Sequence, residues 1–406
     1  MHHVNVVERP SLGRCLEASM KVSAGEILVL EAPLFVSAPV DDMGRLAEQL
    51  FKTAFAKPSD LPLVTQLFIS ILAEIVKGHK ASVLSRLSQL RGHPEQWRQT
   101  VGQLHESLRE EHVSKVEHDE LLDLYSKLAA NAHETDDKRA AIYSMGSLAE
   151  HSCRPSAFKH VHGDAHELMI RALTDLEMGD VVSLAYIPEY YPTWHRQELL
   201  RSFNFQCHCP RCAGEEAEVA CAFVCPDCAS PCCPPRPCLS RGDFEALVCE
   251  ECGCRVEDAE QLQAFRDAEL CERLCESCTP HLHPYHFKIF QMYLGNLQMV
   301  SPEQRLDILE QLEDAHGRLG NRVHPLHAKF EELAARSLQA LSLGTGNAEA
   351  SAEARAEAVS AARASWERAA ALYALTHGEE AEQSRHCQQQ AAMLDGPAPA
   401  LPESSE

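Results

Sequence analysis

The chain has 406 residues, 45% of them apolar and 24% charged, a balance that suits a globular protein of two or three domains. Its 60 acidic residues against 37 basic ones give a net charge of −23, which repels phosphate backbones and favours basic partners, so nucleic-acid binding is not expected. No apolar run reaches the roughly 18 residues of a membrane span, and Met1 to Met20 lack a basic start followed by an apolar core, so a cytoplasmic or nuclear protein is expected.

Residues 1–40 read as β structure, with Glu26 to Leu30 following a turn at Ala24-Gly25. From 41 to 127 the pattern turns helical: Leu61, Leu63, Leu67, Phe68, Ile71, Leu72, Ile75 and Val76 recur at helical steps, and the interval holds no cysteine. β character returns within 128–203, at Glu167 to Leu173 and, after a turn at Met178-Gly179-Asp180, at Val181 to Tyr186. A helix is predicted from Thr193 to Ser202. Residues 283–393 read as helical, with helices predicted over 285–300, 302–319, 325–343 and 348–375. Pairs of short helices suggest a stacked, tetratricopeptide-like array, although no period of about 34 residues is visible. The Pro- and Ser-rich tail, 394–406, is expected to be disordered.

Between these lies the cysteine region, 204–282. Apart from Cys15, Cys153 and Cys387, all 18 cysteines fall between Cys207 and Cys278. Without a secretory route, such density reads as metal binding. Spacings of one and two residues, as in Cys207, Cys209 and Cys212, let one turn offer several sulfurs to a tetrahedral zinc ion. That first run lacks a fourth ligand. Cys225 and Cys228, answered by Cys249 and Cys252, make a second zinc site of two knuckles. Cys271, Cys275 and Cys278 suggest a third, completed by Cys254 or His281, with Cys221, Cys232, Cys233 and Cys238 competing for the role or serving as free thiols.

The segment Gly146-Ser147-Leu148-Ala149-Glu150-His151-Ser152-Cys153-Arg154-Pro155-Ser156-Ala157 precedes a predicted β-hairpin ending in Tyr186, and an arginine-containing helix then runs into Cys207. This order resembles the SET-domain lysine methyltransferases, in particular the SET-and-MYND (SMYD) family, with its Asn-His-Ser-Cys-x-Pro-Asn motif and post-SET Cys-x-Cys-x-x-Cys. Gly13-Arg14-Cys15-Leu16-Glu17-Ala18, Ala24-Gly25-Glu26-Ile27-Leu28, Pro33-Leu34 and Gly320-Asn321-Arg322-Val323-His324-Pro325 are similar to further family motifs, so the resemblance covers most of the chain. It implies an α+β fold: a SET-domain β-fold split between 1–40 and 128–203 by a helical insertion, a zinc-binding post-SET region and an α-helical, TPR-like C-terminal domain. The MYND zinc module is absent, since no cysteine lies between Cys15 and Cys153.

The resemblance also implies S-adenosyl-L-methionine and Zn2+ as cofactors, and as substrate a protein with an exposed lysine on a basic tail; the chain is expected to be a monomer. It makes Cys153 the fourth ligand of the first zinc, where residue type alone reads a small buried hydrophobe. Tyr186 would orient the amine and the methyl group. Phe203 stands where the family has a second channel tyrosine, widening the pocket, or else it is simply core. Phe205 would stack on adenine, with Gly13, Arg14, Ser147, Ala149, Glu150 and His151 lining the cofactor. Asn131 would contact its amino-acid end, or it is an ordinary helix-ending Asn.

Three departures cluster at this lining. Glu150 exchanges a donating amide for an acceptor-only carboxylate. Cys15 replaces a glycine where backbone should approach the cofactor, and Ser156 replaces the motif's last asparagine. They motivate a rival reading, a catalytically weak SET-like zinc-binding scaffold.

Overall fold

The computed structural model describes residues 2–10, 13–52, 61–318, 323–343 and 351–394. Gly320, Asn321 and Arg322 of the His-Pro motif, and the tail beyond Leu394, lie outside the described residues. The α+β part contains β1 (Val4–Arg9), β2 (Gly13–Ala18), β3 (Ile27–Glu31), β4 (Phe35–Val36), β5 (Ala132–Glu134), β6 (Ala140–Ile142), β7 (Glu150–His151), β8 (Ala157–His162), β9 (Glu167–Ala172) and β10 (Ser183–Leu184). They form small sheets: the hairpin β1-β2, the triplets β3-β9-β8 and β4-β6-β5, and the parallel pair β7-β10. The apolar faces meet in one core of Leu16, Leu28, Val29, Ala141, Tyr143, Leu168, Ile170, Val182 and Leu184.

The predicted hairpin ending in Tyr186 is corrected here. β9 pairs antiparallel with β8, from Ala157↔Ala172 to His162↔Glu167. The segment predicted as its partner is strand only at Ser183–Leu184, and it runs parallel to the motif itself, Ser183 opposite Glu150 and Leu184 opposite His151. The glycine that opens the motif has a packing reason. A Cβ on Gly146 would sit 2.1 Å from the Leu168 side chain, so only glycine lets this turn rest on β9.

The insertion folds around its own core. Leu67, Phe68, Ile71 and Leu72 are buried on the Leu63–Glu74 helix, as their spacing predicts, and Val101, Leu121, Leu124 and Leu128 from the Arg98–Ser107 and His118–Asn131 helices complete it. The cysteine region forms a four-stranded ribbon, β11 (Phe223–Val224), β12 (Pro231–Cys233), β13 (Leu247–Cys249) and β14 (Arg255–Val256), followed by a helix, Ala259–Leu270, that the cysteine spacing did not suggest. The C-terminal part stacks Phe287–Asn296, Pro302–Gly317, Pro325–Ser342, Ala352–Thr376 and an unpredicted Glu382–Met393, each against its sequence neighbour. No described helix is long and apolar enough to cross a membrane.

Candidate active site

The site is built by the end of β3. The Glu31 carboxylate accepts the backbone N–H groups of Ser144, Met145 and Gly146 at 3.1, 3.0 and 2.5 Å, fixing the turn that leads into β7. β7 then lies along β10, with Glu150 N–H donating to Val182 O at 3.2 Å and Ser152 N–H to Leu184 O at 3.1 Å. The crossing brings His151 and Cys153 beside Tyr186.

Four rings converge there. Tyr186 lies 5.2 Å from the His151 ring, 5.3 Å from Phe203 and 6.3 Å from Phe205, and Phe205 is 5.8 Å from His151. All four side chains are half-buried. The Tyr186 hydroxyl donates to the Ala149 carbonyl. Burial, and secondarily the Glu150 carboxylate, push this phenol well above the usual tyrosine range, so it stays protonated at neutral pH. His151 accepts the Tyr186 N–H on Nδ1 at 3.1 Å, and burial depresses its pKa to about 4. The neutral ring therefore carries its proton on Nε2, which faces Cys153 Sγ at 3.3 Å.

Around this cluster the other expected residues take distinct places. Gly13 is exposed with φ +74°, and nothing lies within 4 Å of a Cβ built on it. Arg14 donates to the Gln89 carbonyl of the insertion. Asn131 Nδ2 donates to the Arg91 and Lys127 carbonyls, both at 2.7 Å, so its amide is held by backbone. Ser147 Oγ donates to Tyr143 O at 2.6 Å. Cys15 is fully buried, and burial and then the nearby Glu150 carboxylate push its thiol up, so it sits on the Glu150 side of β2. Ser156 closes on Ser183: each backbone N–H donates to the other's hydroxyl at 3.0 Å. Gln96 donates to Ser202 O at 3.0 Å. Residues 89–96 of the insertion thus hydrogen-bond with Arg14, Asn131 and Ser202, a proximity that sequence patterning did not signal.

Burial raises the Glu150 carboxyl from its ordinary 4.5 to about 6. A folded-state pKa above the unfolded one contributes stability that is full below 4.5 and lost as pH rises through about 6. Glu150→Gln is therefore expected to melt higher than the parent above pH 6, with the two curves converging on acidification; scanning calorimetry across that window checks it.

The first thiol cluster is complete. The sulfurs of Cys153, Cys207, Cys209 and Cys212 lie within 4.8 Å of one another, with Cys153 Sγ 3.9 Å from Cys207 Sγ and 3.6 Å from Cys212 Sγ. Cys153 comes from 54 residues upstream of Cys207. Four free thiols at these separations fit a tetrahedral zinc ion. Arg196, with no exposed side-chain area, reaches Cys212 Sγ at 3.6 Å and Glu218 at 3.4 Å, and Arg211 donates to Cys153 O at 2.8 Å. These two cations offset the charge of four thiolates. Cys225, Cys228, Cys249 and Cys252 form a second four-sulfur set in the ribbon, with pairs at 3.7 and 3.5 Å. Both sets can hold zinc.

A third grouping, Glu189 with His316 and His324, was not anticipated. It borders a cavity of about 330 Å3 between β8, β10 and the C-terminal helices. His324 Nδ1 accepts the Leu326 N–H at 3.0 Å, so its Nε2 carries the proton that faces Glu189 Oε2 at 3.3 Å. A ring nitrogen bearing a proton has no lone pair for a metal. The trio is a buried polar contact, with His316 Nε2 3.7 Å from the same Glu189 oxygen, and burial raises the carboxyl to about 7.

No family model matches the chain. Among curated proteins it is similar to the N-lysine methyltransferase SMYD2-B of Danio rerio, 31% identical over 114 residues, which is 27% of this chain and 26% of that protein. SMYD2 of Rattus norvegicus is 30% identical over 115 residues, again 27% and 26%. The histone-lysine N-methyltransferase set5 of Schizosaccharomyces pombe is 28% identical over 91 residues, 22% of this chain and 28% of that one. The chain is thus similar, over about a quarter of their length, to these lysine methyltransferases. Among solved structures, the SET domain of LSMT bound to lysine and AdoHcy superposes with a TM-score of 0.36 and 13% identity, over 97% of this chain and 88% of the other. Rubisco LSMT bound to AdoMet gives 0.37 and 12%, over 97% and 89%, an equally loose correspondence.

Proposed function

We propose that the protein is a zinc-containing, S-adenosylmethionine-dependent protein-lysine N-methyltransferase. The observation that carries this is the convergence of Tyr186 with His151, Phe203 and Phe205 beside the four-sulfur cluster. The ring set suits the cofactor: half-open aromatic faces accept a flat base and a sulfonium cation. Phe205, His151, Glu150, Ala149, Ser147, Gly13 and Arg14 are the residues proposed to line the cofactor, and Asn131 is proposed to act on that lining through its backbone carbonyl. When bound, the cofactor supplies an activated methyl group.

The chain's own task is placement. Free lysine at neutral pH is only about 0.1% neutral, given a reference pKa near 10.4. A channel walled by Tyr186, Phe203 and Phe205 desolvates the ammonium and favours its neutral form. The Tyr186 hydroxyl donates to Ala149 O and keeps its lone pairs for the amine and the methyl hydrogens. Being protonated, it positions rather than abstracts a proton. The net charge of −23 suits a basic substrate segment.

Titration calorimetry with S-adenosylmethionine tests the reading; no heat at millimolar cofactor would leave the scaffold, which the carboxylate at Glu150 favours. A second expected outcome concerns Phe203. Phe203→Tyr adds a hydroxyl 5.3 Å from Tyr186 in ring-centre distance and narrows the channel. Mass spectrometry of a methylated substrate is expected to shift toward monomethyl product, by on the order of tenfold for a polar group placed at the reacting amine.

A further inference from the structure

Three sulfurs outside both four-thiol sets meet where the Ala259–Leu270 helix ends. Cys271 Sγ lies 3.9 Å from Cys275 Sγ, which lies 3.5 Å from Cys278 Sγ, and all three fall within 4.8 Å of one another. None is in a disulfide. We propose that Cys271, Cys275 and Cys278 bind a further zinc ion through three thiolates, leaving its fourth position to water or an incoming donor.

Cys278 is buried in the ribbon core, but packing does not account for the other two. Cys275 is exposed and Cys271 half-exposed, whereas cysteines that merely fill space are buried. The turn between Cys275 and Cys278 has knuckle spacing, and the Cys275 N–H donates to Cys278 Sγ at 3.1 Å, a bond that favours the thiolate. Two cations stand at the same backbone. Lys288 Nζ donates to Ala268 O at 3.0 Å and Cys271 O at 2.9 Å, and Arg241 donates to Glu269 O at 2.9 Å and Cys271 O at 3.2 Å. They offset the negative charge that three thiolates bring. Three soft donors without a carboxylate select zinc over magnesium or calcium.

The two completing ligands suggested by sequence do not take part. Cys254 gives its carbonyl to Cys249 N–H within the ribbon, and the His281 ring packs edge-on against Phe265 at 5.7 Å. Among the described residues no fourth Cys, His, Asp or Glu joins the trio. An ion here would tie the end of the ribbon's helix to the 275–281 turn. Through the Cys271 carbonyl and Lys288 it would also tie the ribbon to the first C-terminal helix.

The test is zinc content of the full chain by plasma mass spectrometry, independent of any methyl transfer. Three equivalents are expected in the parent and two in Cys275→Ser. Cys228→Ser, altering another exposed cysteine in the ribbon set, controls for general loss, and the double variant is expected to hold one. Two equivalents in the parent, unchanged in Cys275→Ser, overturn the proposal. So does an intact mass two hydrogens short with the missing pair mapped to a disulfide among these three residues.

Discussion

Tyr186→Phe is expected to lower methyl transfer by on the order of 100-fold or more while leaving zinc content unchanged. The variant keeps the ring, so its packing against His151, Phe203 and Phe205 survives. What goes is the hydroxyl, held in place by the Ala149 carbonyl. Ala149 is 1% exposed, so its carbonyl loses a partner that water cannot readily replace, at a cost of about 1–3 kcal/mol in stability. A modest fall in melting temperature should therefore accompany a large fall in turnover. Single-turnover kinetics with saturating cofactor separates the two, because a purely structural role would reduce the active fraction and leave the rate of the surviving fraction alone. Full activity in the variant would remove Tyr186 from the chemistry.

How far the chain could be read beforehand differs from one element to the next. The insertion was legible because its apolar residues recur at helical steps and each helix buries its own stripe: Leu67, Phe68, Ile71 and Leu72 needed no knowledge of distant partners. β8 was not legible. Its Ala157-Phe158-Lys159-His160-Val161-His162 alternates, but the second face carries two histidines instead of apolar residues. That face is covered by the C-terminal region, with Phe158 5.4 Å and His160 4.5 Å from the His377 ring. The β7-β10 pair escaped for a related reason. A two-residue parallel ladder joins residues 33 positions apart, and neither strand has a pattern of its own. The Ala259–Leu270 helix, by contrast, did carry a signal. Asp258 accepts the Glu260 and Gln261 N–H groups as an N-cap, and the surrounding cysteines drew attention from it.

The candidate site shows the same division. Cys207, Cys209 and Cys212 declare themselves by spacing, and Cys153 was found only through the motif around it. Glu31 gave no signal at all, yet its carboxylate gathers the three amides that start the motif. Residues that hold backbone in place, like Glu31 with its carboxylate on three amides and Gln96 on the Ser202 carbonyl, are invisible to any search for reactive side chains.

Cys153→Ser carries the other large expected effect. Serine at neutral pH is a poor zinc donor, and the three remaining sulfurs sit on one short segment that the ion ties to the end of β7, with Arg211 on the Cys153 carbonyl as a second link. Loss of an outer-shell partner already weakens metal sites about 10–100-fold, so loss of a ligand is expected to cost at least about 100-fold in zinc affinity and to release one equivalent on dialysis against a chelator. The consequences should reach the ring cluster. His151 Nε2 faces Cys153 Sγ while its Nδ1 holds the Tyr186 N–H, so one imidazole connects the metal centre to the tyrosine. Phe203 and Phe205 lie on the segment leading into Cys207 and lose their tether with the ion. Cofactor binding should thus fall with zinc content in this variant, whereas Cys228→Ser in the ribbon should release zinc and leave cofactor binding intact. An unchanged metal count in Cys153→Ser would mean that the first ion finds its fourth ligand elsewhere. Retained cofactor binding after zinc loss would separate the metal from the site it flanks.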